Sequence, residues 1–276
     1  MNHVKIRHGN FSSSKIVALT IGGKRDMTET ELAKWKAENP KSRKTTTETT
    51  FGEKALSYIK EKNYERLLGR SIQNDSNARP LLYGKLAEDY VLKNILGPEW
   101  TIDAESGISS ENTLTHPAIP FWVGTPDCKK EGKDGLTIGE LKAPYTMLSW
   151  CRFAECKTME EVRENHPDGE TYYWQMISHA ALTGARFGEF LVFCPYKWEL
   201  AKIREWADNN WPGDPNKVAF INFSADNDLP WIEDGGTYNH LHTIRFEINP
   251  DHVKDLTERV LLAGTMLIER KETTNP

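Results

Sequence analysis

No stretch of this sequence approaches the roughly 18–20 consecutive apolar residues that a bilayer-spanning helix requires, which excludes a transmembrane helix. The opening MNHVKIRHGN contains no apolar leader segment, so the expectation is a cytoplasmic protein. Cysteine is scarce. Cys128, Cys151, Cys156 and Cys194 form no Cys-x-x-Cys pair and no disulfide framework, which predicts reduced thiols. There is no internal repeat. What is present is an ordinary soluble composition: 276 residues, 38% apolar, 27% charged, mean hydropathy −0.61. Such a chain is neither disordered nor fibrous and is long enough for a sizeable core. It is read as a single domain over 1–276.

The formal net charge of −5 does not by itself suggest a nucleic-acid binder. The charge is unevenly spread, however. Residues 1–80 hold 16 Lys+Arg against 9 Asp+Glu, a net of +7; the remainder holds 19 against 31, a net of −12. A basic N-terminal third permits a local phosphate-binding face on an acidic protein, although a solvated basic surface carries the same numbers.

Residues 12–21 suggest a Ser-capped short helix. Residues 28–39 suggest another, with Thr28 and Glu31 at capping-box spacing and Pro40 beyond its end. The Thr-rich stretch 41–50 reads as a loop. Over 51–68, Leu56, Ile59, Tyr64 and Leu67 recur at helical spacing; over 80–96, Leu82, Leu86, Tyr90 and Leu96 do so behind Pro80. Segments 119–125 and 135–142 are expected to be strands of one hairpin across the polar stretch 127–134. A helix over 170–184 ends in Gly184. Residues 188–194 form a buried strand, 197–210 a helix, 217–223 and 242–248 alternating strands, and 250–271 a final helix. The order predicts an α/β (α+β) domain.

Within this frame one group of residues carries chemistry. Residues two apart in a strand share a face, so Glu140 and Lys142 project together while Leu141 turns to the core. With Asp127 at the neighbouring strand end, they make a hard-oxygen site beside a cation, which suits Mg²⁺. A metal of this kind hydrolyses phosphodiesters by polarising phosphate and acidifying water. The bare Glu-x-Lys pattern recurs at Glu131–Lys133, Glu155–Lys157 and Glu269–Lys271; what distinguishes Glu140 is its apolar, β-like setting after Pro126-Asp127. Glu88 follows Gly84 by one helical turn, and Gln175 sits among Tyr172, Tyr173 and Trp174. In isolation, a surface glutamate and a structural glutamine are the better readings of these two.

In order, Arg7-His8-Gly9-Asn10-Phe11-Ser12-Ser13-Ser14, Tyr83-Gly84-Lys85-Leu86-Ala87-Glu88, Thr125-Pro126-Asp127, Glu140-Leu141-Lys142 and Tyr172-Tyr173-Trp174-Gln175 resemble the motifs of the lambda-exonuclease (YqaJ-like viral recombinase) branch of the PD-(D/E)xK nuclease superfamily. The match spans 7–196; residues 197–276 carry little of it. The chain has Cys128 where the family usually has Gly, and Tyr83 where it has Trp. The resemblance implies a restriction-endonuclease-like core, a central mixed β-sheet flanked by helices. It implies Mg²⁺-dependent 5′-to-3′ degradation of one strand of linear duplex DNA, with Mn²⁺ able to substitute. Its family members often work with a single-strand annealing protein in phage recombination, and some form ring-shaped trimers; the expected cell is a phage-infected or prophage-carrying bacterium. Carried over, Asp127, Glu140 and the Leu141 carbonyl would hold one ion, and Glu88 with Asp127 a second. Lys142 would position the attacking water, supported by Gln175. Arg7 and Ser14 would grip a 5′-phosphate, and Tyr172 would contact the DNA.

An endonuclease of the same superfamily would use the same acids, but the Arg7–Ser14 block argues against it. A non-catalytic DNA-binding scaffold would be expected to lack an acid, and none is missing. The cysteine placement excludes an iron–sulfur relative. A zinc site at His240-x-His242 has no third ligand in view.

Overall fold

The computed structural model describes residues 7–72, 78–102, 113–210 and 219–269. In chain order the strands are β1 (Phe11–Ser12), β2 (Gly23–Asp26), β3 (Thr46–Thr49), β4 (Thr101–Ile102), β5 (Leu114–His116), β6 (Ile119–Gly124), β7 (Cys128–Gly132), β8 (Gly135–Lys142), β9 (Phe187–Phe193) and β10 (Leu241–Glu247). The helices are α1 (Glu29–Glu38), α2 (Glu53–Leu68), α3 (Arg79–Asn94), α4 (Met147–Ala154), α5 (Met159–Asn165), α6 (Gly169–Thr183), α7 (Glu199–Asn210), α8 (Ala219–Phe223) and α9 (Pro250–Gly264), with a 3-10 helix over Ser13–Thr20.

The main sheet runs β10-β9-β8-β7-β4. β8 and β9 are parallel and the other pairs antiparallel, so the sheet is mixed, as expected. The parallel pair needs a crossover, supplied by α4, α5 and α6. The period of two in β8 and β9 divides the interior. Ile138, Phe190 and Val192 join the core that contains Phe11, Ile16, Trp122 and helices α6 and α9. Leu141, Leu191 and Phe193 join the opposite core, with Tyr83, Leu86 and Val91 of α3 and Leu200 and Ile203 of α7. Helices therefore cover both faces. A second sheet, β1-β6-β5, joins the N-terminal segment to residues 119–124 through the parallel pairing of Phe11 with Trp122.

Several local expectations match. The Thr28–Glu31 capping box is complete, and Gly184 ends α6 in the left-handed region with φ 73°. Others need correction. The hairpin partner of β8 is β7, formed by the charged stretch read as a connection, while β6 lies in the other sheet. The Thr-rich stretch contains β3, paired with β2, in keeping with the β-branched side chains of Thr46, Thr47 and Thr49. Residues 219–223 are helical rather than extended, and 217–218 lie outside the described residues. The last helix stops at Gly264. The Ser12 hydroxyl makes no capping bond, and the helix it precedes is 3-10. In α2 the buried face is Ala55, Tyr58, Ile59, Lys62 and Glu65, whereas Leu56, Tyr64 and Leu67 are exposed.

That choice of face has a physical reason. Buried Glu65 accepts from Lys62 Nζ at 2.8 Å and from the Gly9 backbone N–H at 2.9 Å. Arg66 donates to the Gly9 carbonyl at 2.7 Å, and the Tyr58 hydroxyl accepts from the Ser12 N–H at 2.8 Å. The polar face of α2 thus satisfies the backbone of the N-terminal loop, whose groups would otherwise be costly to enclose. Gly9 takes φ 64°, and a Cβ there would stand 2.4 Å from Arg66 Cγ, so the position requires glycine.

Candidate active site

The site forms where the C-terminal end of β8 meets the start of β7, α3 and α6. Alternation puts Glu140 and Lys142 on one face, and the ammonium of Lys142 donates to Glu140 Oε1. Gln175 of α6 donates to the same oxygen at 2.5 Å. His179, one turn later, places Nδ1 3.3 Å from Glu140 Oε2. Asp127, just before β7, accepts from the Leu141 N–H at 2.8 Å. Glu88 of α3 accepts from the backbone N–H of Ala143 and interacts electrostatically with Lys142, Asp127 and Glu140. The structure therefore brings Glu88, Asp127, Glu140, Leu141, Lys142 and Gln175 together. Tyr172 borders the group: its ring centroid is 5.4 Å from Lys142 Nζ, and it stacks on Phe190 at 5.5 Å.

Electrostatics divides the acids. Desolvation drives Glu140 upward, but Lys142 and His179 outweigh it and hold this carboxyl below its ordinary range. For Glu88, desolvation and the neighbouring Asp127 and Glu140 prevail over Lys142, pushing it up to about 8. Asp127 is pushed up to about 6 by desolvation and Glu140, against Lys142 and the Leu141 N–H. Desolvation opposes the charge on Lys142, but Glu140, Asp127 and Glu88 raise its pKa. One ammonium thus faces three carboxyl groups, and the acids are short of positive charge.

Hard oxygen donors lacking countercharge suit a divalent cation such as Mg²⁺. Glu140 Oε2 is buried with no well-aligned hydrogen bond, which agrees with that chemistry. The donors are not assembled into a coordination sphere: among the described residues, no three His, Cys, Asp or Glu side chains are arranged to hold a metal. The physical reason is visible at Glu140, whose Oε1 is taken by Lys142 and Gln175.

Arg7 and Ser14 are placed differently from each other. Arg7 Nη2 donates to Thr125 Oγ1 at 2.6 Å, two residues before Asp127. Ser14 lines a cavity of about 500 Å³ with Lys15, Tyr58 and Glu61. Its neighbour Ser13 is buried, with Oγ 2.8 Å from Ser178 Oγ on α6, and Ser178 also accepts from Trp122 Nε1 at 2.7 Å.

Cys128 needs no unusual backbone, since no non-glycine described residue has positive φ. Its side chain is accommodated across the ladder by Gly139, where a Cβ would lie 2.4 Å from Cys128 Sγ. A Cβ at Gly84 would meet only ordinary contacts, at 3.6 Å from the Ala143 carbonyl, so the packing does not require glycine there. His240 and His242 have separate partners, Glu199 and the Cys156 carbonyl, each at 2.8 Å. The four cysteines are free thiols. No described helix is long and apolar enough to cross a membrane. Nothing in the sequence singles out His179 except its i,i+4 spacing from Gln175, which ordinary core histidines also show.

No protein-family model and no curated protein matches the chain. Among solved structures, it is similar to an alkaline exonuclease from Laribacter hongkongensis, at 14% identity over 95% of this chain and 90% of that one, with a TM-score of 0.49. The same enzyme in complex with dAMP gives 13% identity, 95% and 89% coverage and 0.48. A phage-related exonuclease from Haemophilus somnus 129PT gives 12%, 94% and 93%, and 0.47.

Proposed function

We propose that this chain is a divalent-metal-dependent deoxyribonuclease that degrades one strand of linear duplex DNA from its 5′ end. The observation that carries the reading is the meeting of Glu88, Asp127 and Glu140 around the single ammonium of Lys142. Asp127, Glu140 and the Leu141 carbonyl are the proposed holders of one ion, and Glu88 with Asp127 of a second. When bound, Mg²⁺ or Mn²⁺ would polarise the scissile phosphate and lower the pKa of a water. Lys142 is the group that orients that water and offsets charge developing on the phosphate. Gln175 fixes the Glu140 carboxylate, which leaves Lys142 a defined position beside it. Tyr172 offers an aromatic face next to the lysine for the DNA strand.

Arg7 supports the choice of an end-directed enzyme. It is exposed and tied to Thr125, so its guanidinium is held against a residue that stands two positions before Asp127. A terminal phosphate carries more charge than an internal diester, and a guanidinium binds it well. The motif resemblance extends the proposal to a role in phage-type recombination in the bacterial cytoplasm, with a single-strand annealing protein as partner and a ring-shaped homo-oligomer as the working form.

The test uses end-labelled linear duplex, with and without a 5′-phosphate, in Mg²⁺ or in EDTA, beside a covalently closed circle. Mg²⁺-dependent loss of the linear substrate with the circle spared is the expected result. A circle cut as fast as the linear duplex replaces the exonuclease with an endonuclease. No cleavage of either in Mg²⁺ or Mn²⁺ would leave a DNA-binding scaffold.

A further inference from the structure

Helix α6 carries a second side chain directed at the site. His179 follows Gln175 by one helical turn, and such neighbours share one side of a helix. Together they meet the two oxygens of one carboxylate: Gln175 Nε2 is 2.5 Å from Glu140 Oε1, and His179 Nδ1 is 3.3 Å from Glu140 Oε2. His179 and Glu140 are each 1% exposed. Neither His179 Nδ1 nor Glu140 Oε2 has a well-aligned hydrogen bond to another protein group. Buried polar atoms left in this way are costly, so two facing one another ask for a shared purpose.

The backbone around His179 is held in place. The adjacent Ser178 joins Ser13 at 2.8 Å and Trp122 at 2.7 Å, in a fully enclosed polar junction. Gly184 then closes the helix. The turn that presents His179 is thereby anchored to the 3-10 helix and to β6, and cannot readily withdraw from Glu140.

We propose that His179 is a positioning residue for Glu140. Gln175 and Lys142 hold one carboxylate oxygen and His179 restrains the other, so one side of α6 sets the direction in which the carboxylate meets a divalent cation. The inference rests on the reading of Glu140 as a metal-holding residue. With an Nδ1–H facing Oε2, rotation of the carboxylate about its last bond is opposed at both oxygens. Without it, only one oxygen is fixed. Loss of an outer partner of a metal-holding residue typically weakens metal binding by roughly 10–100-fold.

The competing account is that His179 only fills space between α6 and the sheet. Three variants of the full chain separate the two: His179→Ala removes the ring, His179→Phe keeps the volume without a donor, and His179→Asn retains an N–H near the Nδ1 position. The probe is Mn²⁺ alone, titrated by calorimetry without DNA, with a thermal melt of each variant. Positioning predicts a Kd for Mn²⁺ raised about 10–100-fold in the Ala and Phe variants and restored to within about threefold of the unaltered chain by Asn. A Phe variant that binds Mn²⁺ like the unaltered chain overturns the inference. So does an Asn variant no better than Phe, or one that melts as early as Ala without recovering Mn²⁺ binding. If the unaltered chain itself binds no Mn²⁺, the parent reading of Glu140 falls, and this inference falls with it; the first result distinguishes that case from the others.

Discussion

The guanidinium of Arg7 and the hydroxyl of Thr125 meet at 2.6 Å, tying the N-terminal loop to the turn that leads into Asp127. The α2 contacts to Gly9 and Ser12 hold the same loop from the other side. The segment from Arg7 to Ser12 is thus held from both sides.

Arg7→Ala is therefore expected to slow degradation of 5′-phosphorylated duplex ends far more than of 5′-hydroxyl ends. A hydrogen bond to a charged group contributes roughly 1.5–3 kcal/mol, which corresponds to about 10- to 100-fold in rate. Rates on matched phosphorylated and dephosphorylated duplexes measure it. If Arg7 is only one exposed cation among many, both rates fall slightly together and the salt dependence of binding changes instead. A ratio unaffected by the substitution removes Arg7 from the site.

Lys142→Ala and Asp127→Ala should differ in kind. An ammonium has no lone pair for a metal, and here it supplies positive charge that a bound cation would repel. Its removal should abolish cleavage, by about 100-fold or more, while Mn²⁺ binding is retained or tightened. Asp127→Ala removes a proposed oxygen donor to both ions and should lose cleavage and metal binding alike. Calorimetric titration with Mn²⁺, set beside cleavage rates, checks both variants, and equal loss of metal affinity in the two would contradict the assigned roles.

The parts of the fold that could be read in the sequence were those in which one local rule dominates. Leu82, Leu86 and Tyr90 are all buried in α3 because their helical spacing faces an apolar partner. The alternation of β8 correctly put Glu140 and Lys142 on one face and Leu141 in the core. The failures share a different physics. β7 is written Cys-Lys-Lys-Glu-Gly and looks like a loop, yet Lys130 is paired with Glu189 at 2.9 Å and lies 4.1 Å from the centre of Trp100, contacts made by residues distant in sequence. The buried face of α2 contains Lys62 and Glu65, which hydropathy assigns to solvent, because Glu65 accepts from the backbone of Gly9 and Lys62 donates to Glu65. His179 likewise looks like a core residue until Glu140 is placed opposite it. Long-range polar pairing decided each of these, and it leaves no periodicity to find.

The raised pKa of Glu88 yields a prediction about the metal-free chain. Desolvation, Asp127 and Glu140 move this carboxyl from its ordinary 4.5 to about 8. An acid with a raised folded pKa keeps its proton when folded after the unfolded chain has released it. Between about pH 4.5 and 8 the folded state therefore binds more protons, and stability falls as pH rises through that window. Asp127, raised from 3.8 to about 6, acts in the same direction over the lower part of it. Below both ordinary values these contributions are fully protective, and above the folded values they are lost. Glu88→Gln, which stays neutral, should flatten the slope above pH 6 and raise the Tm of the metal-free protein at pH 8, at about 2–4 °C per kcal/mol for a large domain. Mn²⁺ should reverse the order at pH 8, stabilising the unaltered chain more than the Gln variant, because a cation that binds only the folded form favours the deprotonated acid. Thermal melts of both proteins from pH 5 to pH 8.5, in EDTA and in Mn²⁺, decide it. A Gln variant that melts below the unaltered chain at pH 8 in EDTA would show that Glu88 is held by favourable partners and does not lack positive charge.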